Sequence, residues 1–319
     1  MTCVRCQHQE TKKCGFSGKR RLQRYHCQRC DSTFVDPTTE KTFSNHYTDL
    51  DTTARALELM MEGTSVRAIS RLTGLHIETI LSLMLTAGEK CQRLLDARIR
   101  GLRPNLVQAD ECHVTIGCHS KRLRHDAPEE WGSAWTWLAL DSESKLIISH
   151  YIGQRDADSA WCFMQDLRAR TENVFQLTTD GLKHYPMAVD AHFATSIHYA
   201  SLIKMFSMPD IMGPHDWFSA TSRVTGTIPK VRCGRPEPRF VSTSHVERLN
   251  LSVRMHLRRY ARRTNALSKK LANHKACFAL WVAWYNFVRV NAAVRMTPCM
   301  ASGITNTIWT MRDLLQAEV

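Results

Sequence analysis

Leu106-Val-Gln-Ala-Asp-Glu-Cys-His-Val-Thr-Ile-Gly-Cys118 is where the chain changes period. Upstream, apolar residues recur at the three-to-four spacing of helices. From Leu106 a short apolar run ends in an acid, and positions 112–118 alternate as a strand does. Residues 133–140 and 145–153 read as two further strands, joined by a turn at Asp141-Ser-Glu-Ser144. Positions 157–170 carry Ala160, Phe163, Met164 and Leu167 at helical core spacing. A strand at 174–179 ends on Asp180-Gly181; a helix and a fifth strand near 196–199 follow. Helices at about 243–263 and 267–291 complete the pattern. Three strands, helix, strand, helix, strand, helix predicts an α/β fold, a mixed sheet flanked by helices. Residues 205–241 hold five prolines and little periodicity, so they read as a long insertion.

The stretch 49–100 is helical throughout and reads as its own domain. Ala54, Leu57, Met60 and Met61 line a first helix that Gly63 ends. Ser65 caps a second, with Val66, Ile69 and Leu72, and a turn at Thr73-Gly-Leu75 leads to a third with Ile77, Ile80, Leu81 and Met84. Small Ser70 and turn residue Gly74 fit a helix-turn-helix, whose last helix offers His76, Thr79 and Ser82 to the major groove. A plain helical bundle has the same pattern. Residues 1–48 carry Cys3-x-x-Cys6 and Cys27-x-x-Cys30, four thiolates with the spacing to converge on one Zn²⁺. Lys19, Arg20 and Arg21 lie in the basic loop between the pairs, suited to phosphate contacts. So small a module buries little core, so zinc would supply its folding energy.

An apolar content of 43% suits packed domains rather than disorder. No uncharged apolar run of about 18 residues appears, so no membrane span is expected. The start, Met-Thr-Cys-Val-Arg-Cys, has no signal-peptide core. The expected location is the cytoplasm, where cysteines are reduced or metal-bound. The net charge is +13, and between Arg223 and Lys275 fourteen Lys and Arg residues face only Glu237 and Glu247. So one-sided a block favours a polyanion, with nucleic acid foremost.

Three acids stand out: Asp110 and Asp180 at strand ends, and Glu247 on the 243–263 helix. There Val246, Leu249, Val253, Leu257 and Tyr260 form an apolar stripe, while Glu247 lies in a column with Arg254 and Arg258. Three carboxylates from separate elements can hold two divalent cations for phosphodiester displacement, and oxygen ligands suit Mg²⁺ or Mn²⁺. Simpler readings exist. The aspartates fit turns, and Ser244-x-x-Glu247 fits a capping box. Alternation puts Asp110 and Glu111 on opposite strand faces, so only one joins the metals, and periodicity does not choose. Cys112-His113 and Cys118-His119 suggest a metal pair, but alternation splits cysteines from histidines; they read as core or hairpin positions.

Cysteine pairs, helix-turn-helix and three spaced acids together resemble the transposases of bacterial insertion sequences, of the insertion-sequence-1 type. The likeness rests on Gln108-Ala-Asp-Glu111, Thr179-Asp-Gly-Leu-Lys-His-Tyr185, Ser244-His-Val-Glu-Arg-Leu-Asn-Leu-Ser-Val-Arg254, the 258–269 tail and Trp284-Tyr-Asn-Phe287. It implies a ribonuclease-H-like catalytic domain over 101–319, with Asp110, Asp180 and Glu247 as the metal-binding triad. It implies Arg254 against the DNA backbone, with Arg258, Arg259, Arg262 and Arg263 beside it. The partners it implies are double-stranded DNA, as terminal repeats and target, and a homodimer or higher oligomer. A non-catalytic DNA-binding regulator of transposase descent, or a nuclease that cuts without joining, uses the same residues.

Overall fold

The computed structural model describes residues 1–17, 22–35, 43–44, 46–206, 224–262 and 264–319. Lys19, Arg20, Arg21 and Arg263 therefore lie outside the described residues, as does the 207–223 part of the expected insertion. Two compact units emerge, Met1–Thr53 and Ala54–Val319.

In the first unit, β1 (Thr11–Ser17), β2 (Leu22–Cys27) and β3 (Thr33–Val35) form an antiparallel sheet in that order. In the second, α1 (Leu50–Met61, whose first residues belong to the first unit), α2 (Val66–Thr73) and α3 (Ile77–Arg98) precede the large sheet. The Ser65 hydroxyl accepts the Ala68 amide at 3.2 Å and caps α2; Gly74 closes it at φ 72°, a left-handed value that glycine adopts without strain. Helices α2 and α3 meet at 108°, within the range of a helix-turn-helix.

The large sheet comprises β4 (Leu106–Ile116), β5 (Gly132–Asp141), β6 (Ile147–Gly153), β7 (Gln176–Thr179), β8 (His198–Phe206) and β9 (Val224–Cys233), in spatial order β6-β5-β4-β7-β8-β9. The first three strands run antiparallel; β7 is parallel to β4 and β8 parallel to β7. Helices α4 (Ala157–Arg170) and α5 (Tyr185–Phe193) make the crossovers that parallel neighbours require. On one face Trp137 packs against Phe163 of α4 and Tyr185 of α5. On the other lie α6 (Ser244–His256) and α7 (Leu271–Ala283), with Phe278 against His150. Covered on both faces, β5 is buried almost throughout, which is why its sequence reads as a continuous apolar run.

Helix α3 is not set apart from this sheet unit. It packs along α7 so closely that a Cβ on Gly88 would lie 2.0 Å from the Ala276 carbonyl oxygen. The buried Arg170 guanidinium pairs with Asp166 and Asp96 and donates to the Leu95 and Ile99 carbonyls, tying the end of α3 to α4. The Leu95 carbonyl also accepts the Ile99 amide, so the arginine adds a second bond there and meets the Ile99 carbonyl beyond the helix end.

Three expectations need correction. The helix expected over 243–263 stops at His256; Leu257 is extended and Arg258–Tyr260 form a 3-10 turn. The apolar spacing runs on because Leu257 and Tyr260 stay buried, Tyr260 by hydrogen bonds to Thr136 and His274. The helix expected over 267–291 begins at Leu271, and Trp284–Val288 widen into a π-helical turn. The supposed insertion contributes β9, antiparallel to β8; almost wholly exposed, it has no alternation to read, and Pro229 is tolerated there as on other edge strands.

Candidate active site

Asp110 is not at a strand end, since β4 runs on to Ile116. What ends is the neighbouring strand. β7 pairs with β4 only from Leu106 to Ala109, opposite Gln176 to Thr179, and Asp180 follows at once. The Asp180 carboxylate accepts the Leu182 amide at 2.9 Å, a local turn that holds the acid beside the gap. From Asp110 to Thr115 no strand pairs with the β7 side of β4 among the described residues, until Ile116 bridges Ser268, and side chains from both of its faces can reach round that edge. Asp110, Glu111 and Asp180 each offer a carboxylate oxygen within 4.8 Å of the others. Asp110 and Glu111 thus both reach the cluster although alternation assigns them to opposite faces of the strand, because the sheet has no next strand here to separate them.

Glu111 is buried and held in place. Arg155 donates to its Oε1 from Nη2 at 2.7 Å and Nε at 2.9 Å, and the Tyr185 hydroxyl donates to Oε2 at 3.1 Å. The Asp110 carboxylate accepts from Asn250 Nδ2 at 2.8 Å. Burial first, then the charges of Glu111 and Asp180, push the Asp110 carboxyl up to about 7, with Glu247 adding to it. Burial and Asp180 likewise push Glu111 up to about 7, against the pull of Arg155. The cluster holds more negative charge than its surroundings compensate, the condition a bound cation relieves.

Helix α6 is docked by Gln108, whose side-chain oxygen accepts the His245 and Val246 amides at 2.9 and 3.1 Å. That bond meets two open amides of the helix start and turns Asn250 toward Asp110. Glu247, three residues earlier, lies outside the three-acid group but close enough for its charge to act on Asp110. Its Oε1 accepts from Lys204 at 2.5 Å and from the Thr243 hydroxyl. The capping-box account fails on its own bond: the N-cap is Thr243, and the Ser244 amide donates to the Ser242 hydroxyl.

The donor set is all oxygen, as Mg²⁺ and Mn²⁺ prefer. Asn250 adds a buried side-chain oxygen with no hydrogen-bond partner among the described residues. Asp110, Glu111 and Asp180 fit such an ion. In the first unit Cys3, Cys6, Cys27 and Cys30 form the second metal-capable group, with Cys3 to Cys30 and Cys6 to Cys27 sulfurs 3.6 Å apart. Four thiolates suit zinc, with the Ser32 hydroxyl 2.9 Å from the Cys30 sulfur beside them.

The arginines divide. Arg254 is half-buried and Arg262 exposed, and among the described residues no carboxylate pairs with either. Arg258 donates to the Gly63 carbonyl at 2.7 Å, and Arg259 to Ser268, the Asn273 carbonyl and Met84, so both brace the protein itself. His76 caps α3 through Nδ1, with Ser82 exposed and Thr79 half-buried further along it. Sequence reasoning missed Gln108, Arg155, Lys204 and Asn250. Asn250 alone had a signal, three residues after Glu247 on a helix read correctly there.

No protein-family model and no curated protein matches the sequence. Among solved structures the chain is similar to a chain from the piggyBac transposase synaptic complex with hairpin DNA. The identity is 9% and the TM-score 0.42, over 87% of this chain and 72% of that one. It is also similar to a chain from the simian T-cell lymphotropic virus intasome in complex with PP2A regulatory subunit B56 gamma. There the identity is 14% and the TM-score 0.36, over 78% and 74%.

Proposed function

We propose that the protein is a DNA transposase of the three-acid type, which cuts at the ends of its element and joins them to target DNA. The observation that carries this reading is the meeting of Asp110, Glu111 and Asp180 at the open edge of β4, with Glu247 and Asn250 presented from α6. The strand order, three antiparallel strands followed by two helix-linked parallel ones, supports a ribonuclease-H-like unit. Asp110 and Asp180, with Glu111 or Glu247, would hold Mg²⁺ or Mn²⁺. Such an ion, when bound, supplies a nucleophilic water and stabilises the leaving oxygen.

The chain's own residues do the rest. Asn250 orients Asp110, while Arg155 and Tyr185 fix Glu111. Lys204 holds Glu247 at hand. Arg254, seven residues along α6, meets the DNA backbone. Cleavage leaves a 3′-hydroxyl, which attacks a target phosphodiester, forming one P–O bond as another breaks. The helix-turn-helix and the zinc-bound cysteine module read the terminal repeats, and two ends call for at least a dimer on DNA.

The test is a supercoiled plasmid carrying the sequences that flank the coding region, incubated with purified protein and Mg²⁺. Nicked and joined products are expected, and Asp110→Asn or Asp180→Asn abolishes both. Nicking without joining identifies a nuclease, and DNA binding without nicking a regulator. Equal activity from Asp110→Asn overturns the reading.

A further inference from the structure

The sequence motif that the proposed site leaves unused is His113 with His119. These residues and the neighbouring cysteines form no metal-capable group among the described residues. They border a cavity of about 280 Å³ whose wall includes Thr115, Arg254, Arg259 and Arg262 and, among the described residues, no carboxylate. We propose that this cavity seats a backbone phosphate of one DNA strand, held by His113, His119, Arg254 and Arg262, and that the strand reaches it along the open edge of β4. The inference rests on the proposed function for its choice of DNA.

Position is the first argument. From Asp110 to Thr115 no strand pairs with the β7 side of β4 among the described residues, so that edge presents backbone groups rather than a neighbouring strand. His113 lies three residues past Asp110, about 10 Å along a strand. Arg254 lies seven past Glu247 on α6, about 10 Å along a helix. Both elements carry an acid at one end of the same short path and a cavity-lining base at the other.

Charge and polarity supply the second. Cations converging on a concavity with no acid in its wall repel one another unless an anion sits among them. Arg259 cannot swing away, being hydrogen-bonded to Ser268 and the Asn273 carbonyl. Each imidazole is oriented by one nitrogen, His113 Nε2 with Ser133 at 3.2 Å and His119 Nδ1 with Thr115 at 3.4 Å. The other nitrogen of each has no protein partner among the described residues, which leaves it available to a phosphate oxygen. Size is the third. The cavity falls below the roughly 300–1,000 Å³ of ordinary small-molecule pockets, which suits one phosphodiester with its sugar rather than a duplex.

The experiment uses the full zinc-loaded chain and a mixed-sequence single-stranded oligonucleotide, without Mg²⁺, in two measurements. Anisotropy over a salt series gives affinity and the slope of log K against log salt. Arg254→Gln and Arg262→Gln should each lower that slope by about 0.7, and His113→Ala with His119→Ala should weaken binding about tenfold. Imidazole C–H resonances of the wild type, assigned with the two histidine variants, should move on adding the oligonucleotide. They should move far less with equal inorganic phosphate. Wild-type slopes and affinity in all variants, or histidine resonances unmoved by DNA, overturn the proposal. So does an equal response to free phosphate. The readouts need no cleavage: shifted resonances and reduced slopes without plasmid nicking keep the pocket and remove the transposase reading.

Discussion

Neutralising Asp110 should make the protein more stable, and increasingly so as the pH rises from 5 to 8. In the folded chain its carboxyl stands at about 7 against an ordinary 3.8, through burial and the charges of Glu111, Asp180 and Glu247. About three pKa units at 1.36 kcal/mol each make its ionisation in the folded state cost about 4 kcal/mol. A raised acid stabilises least when charged, so this cost is absent below pH 4, grows between pH 4 and 7, and is complete at pH 8. Asp110→Asn removes the charge at unchanged shape. A buried amide with imperfect partners returns about 1–2 kcal/mol, which leaves a net gain of about 2 kcal/mol at pH 8. For a unit of this size that is a rise of about 5 °C in Tm. Differential scanning calorimetry without divalent metal, on both proteins at pH 5 and pH 8, measures it. The gain should close or reverse at pH 5. Mg²⁺ at pH 8 should raise the wild-type Tm more than the variant's. An Asp110→Asn protein that folds yet melts at or below the wild type at pH 8 refutes the charge-crowding argument and, with it, the case for a cation site.

Four further outcomes follow from particular contacts. Asn250→Ala, which removes the hydrogen bond to Asp110, should lower plasmid nicking about 10–100-fold while the melting curve moves little. Glu247→Gln and Glu111→Gln separate the two glutamates: the true third ligand abolishes nicking and weakens Mn²⁺ binding by calorimetry, whereas the other leaves Mn²⁺ affinity within a few-fold. Gly88→Ala drives a Cβ against the Ala276 carbonyl and should cost about 3 kcal/mol, read as a fall in denaturant midpoint. Cys27→Ser should lose the zinc that wild-type protein carries at about one per chain, and open residues 1–53 to protease while the Tm of the larger unit is kept.

How much of this was legible depended on burial. The strands β5 and β6 and the helices α2 and α4 were readable because each buries one face or both, and burial writes a period into the sequence. Strand β9 buries almost nothing, so Val224–Cys233 carried no period and passed for an insertion. The end of α6 failed for the opposite reason: Leu257 and Tyr260 are buried, but by a 3-10 turn whose spacing imitates one more helical turn. Nor could composition separate Arg258 and Arg259, which brace the fold, from Arg254 and Arg262, which do not. All four are arginines in one basic block, and their difference lies in carbonyls at Gly63 and Asn273 far away in sequence or across a loop.

The same reasoning explains why two glutamates compete for one place. Strand alternation is a rule about faces, and it holds along β4 wherever another strand lies alongside. At Asp110 and Glu111 that neighbour has ended, so two residues meant for opposite faces share one unpaired edge. Glu111 is there already, its position set by Arg155 and Tyr185. Glu247 approaches from a helix whose start is pinned to the same strand by Gln108, with Lys204 as its present partner. A carboxylate fixed by an arginine and a tyrosine has given up acceptor capacity that a metal would need. One held at its Oε1 by a single half-buried lysine and a hydroxyl keeps its other oxygen. On acceptor count, then, we propose Glu247 as the third ligand, with Glu111, though nearer to the two aspartates, as the fixed charge against which the site is tuned.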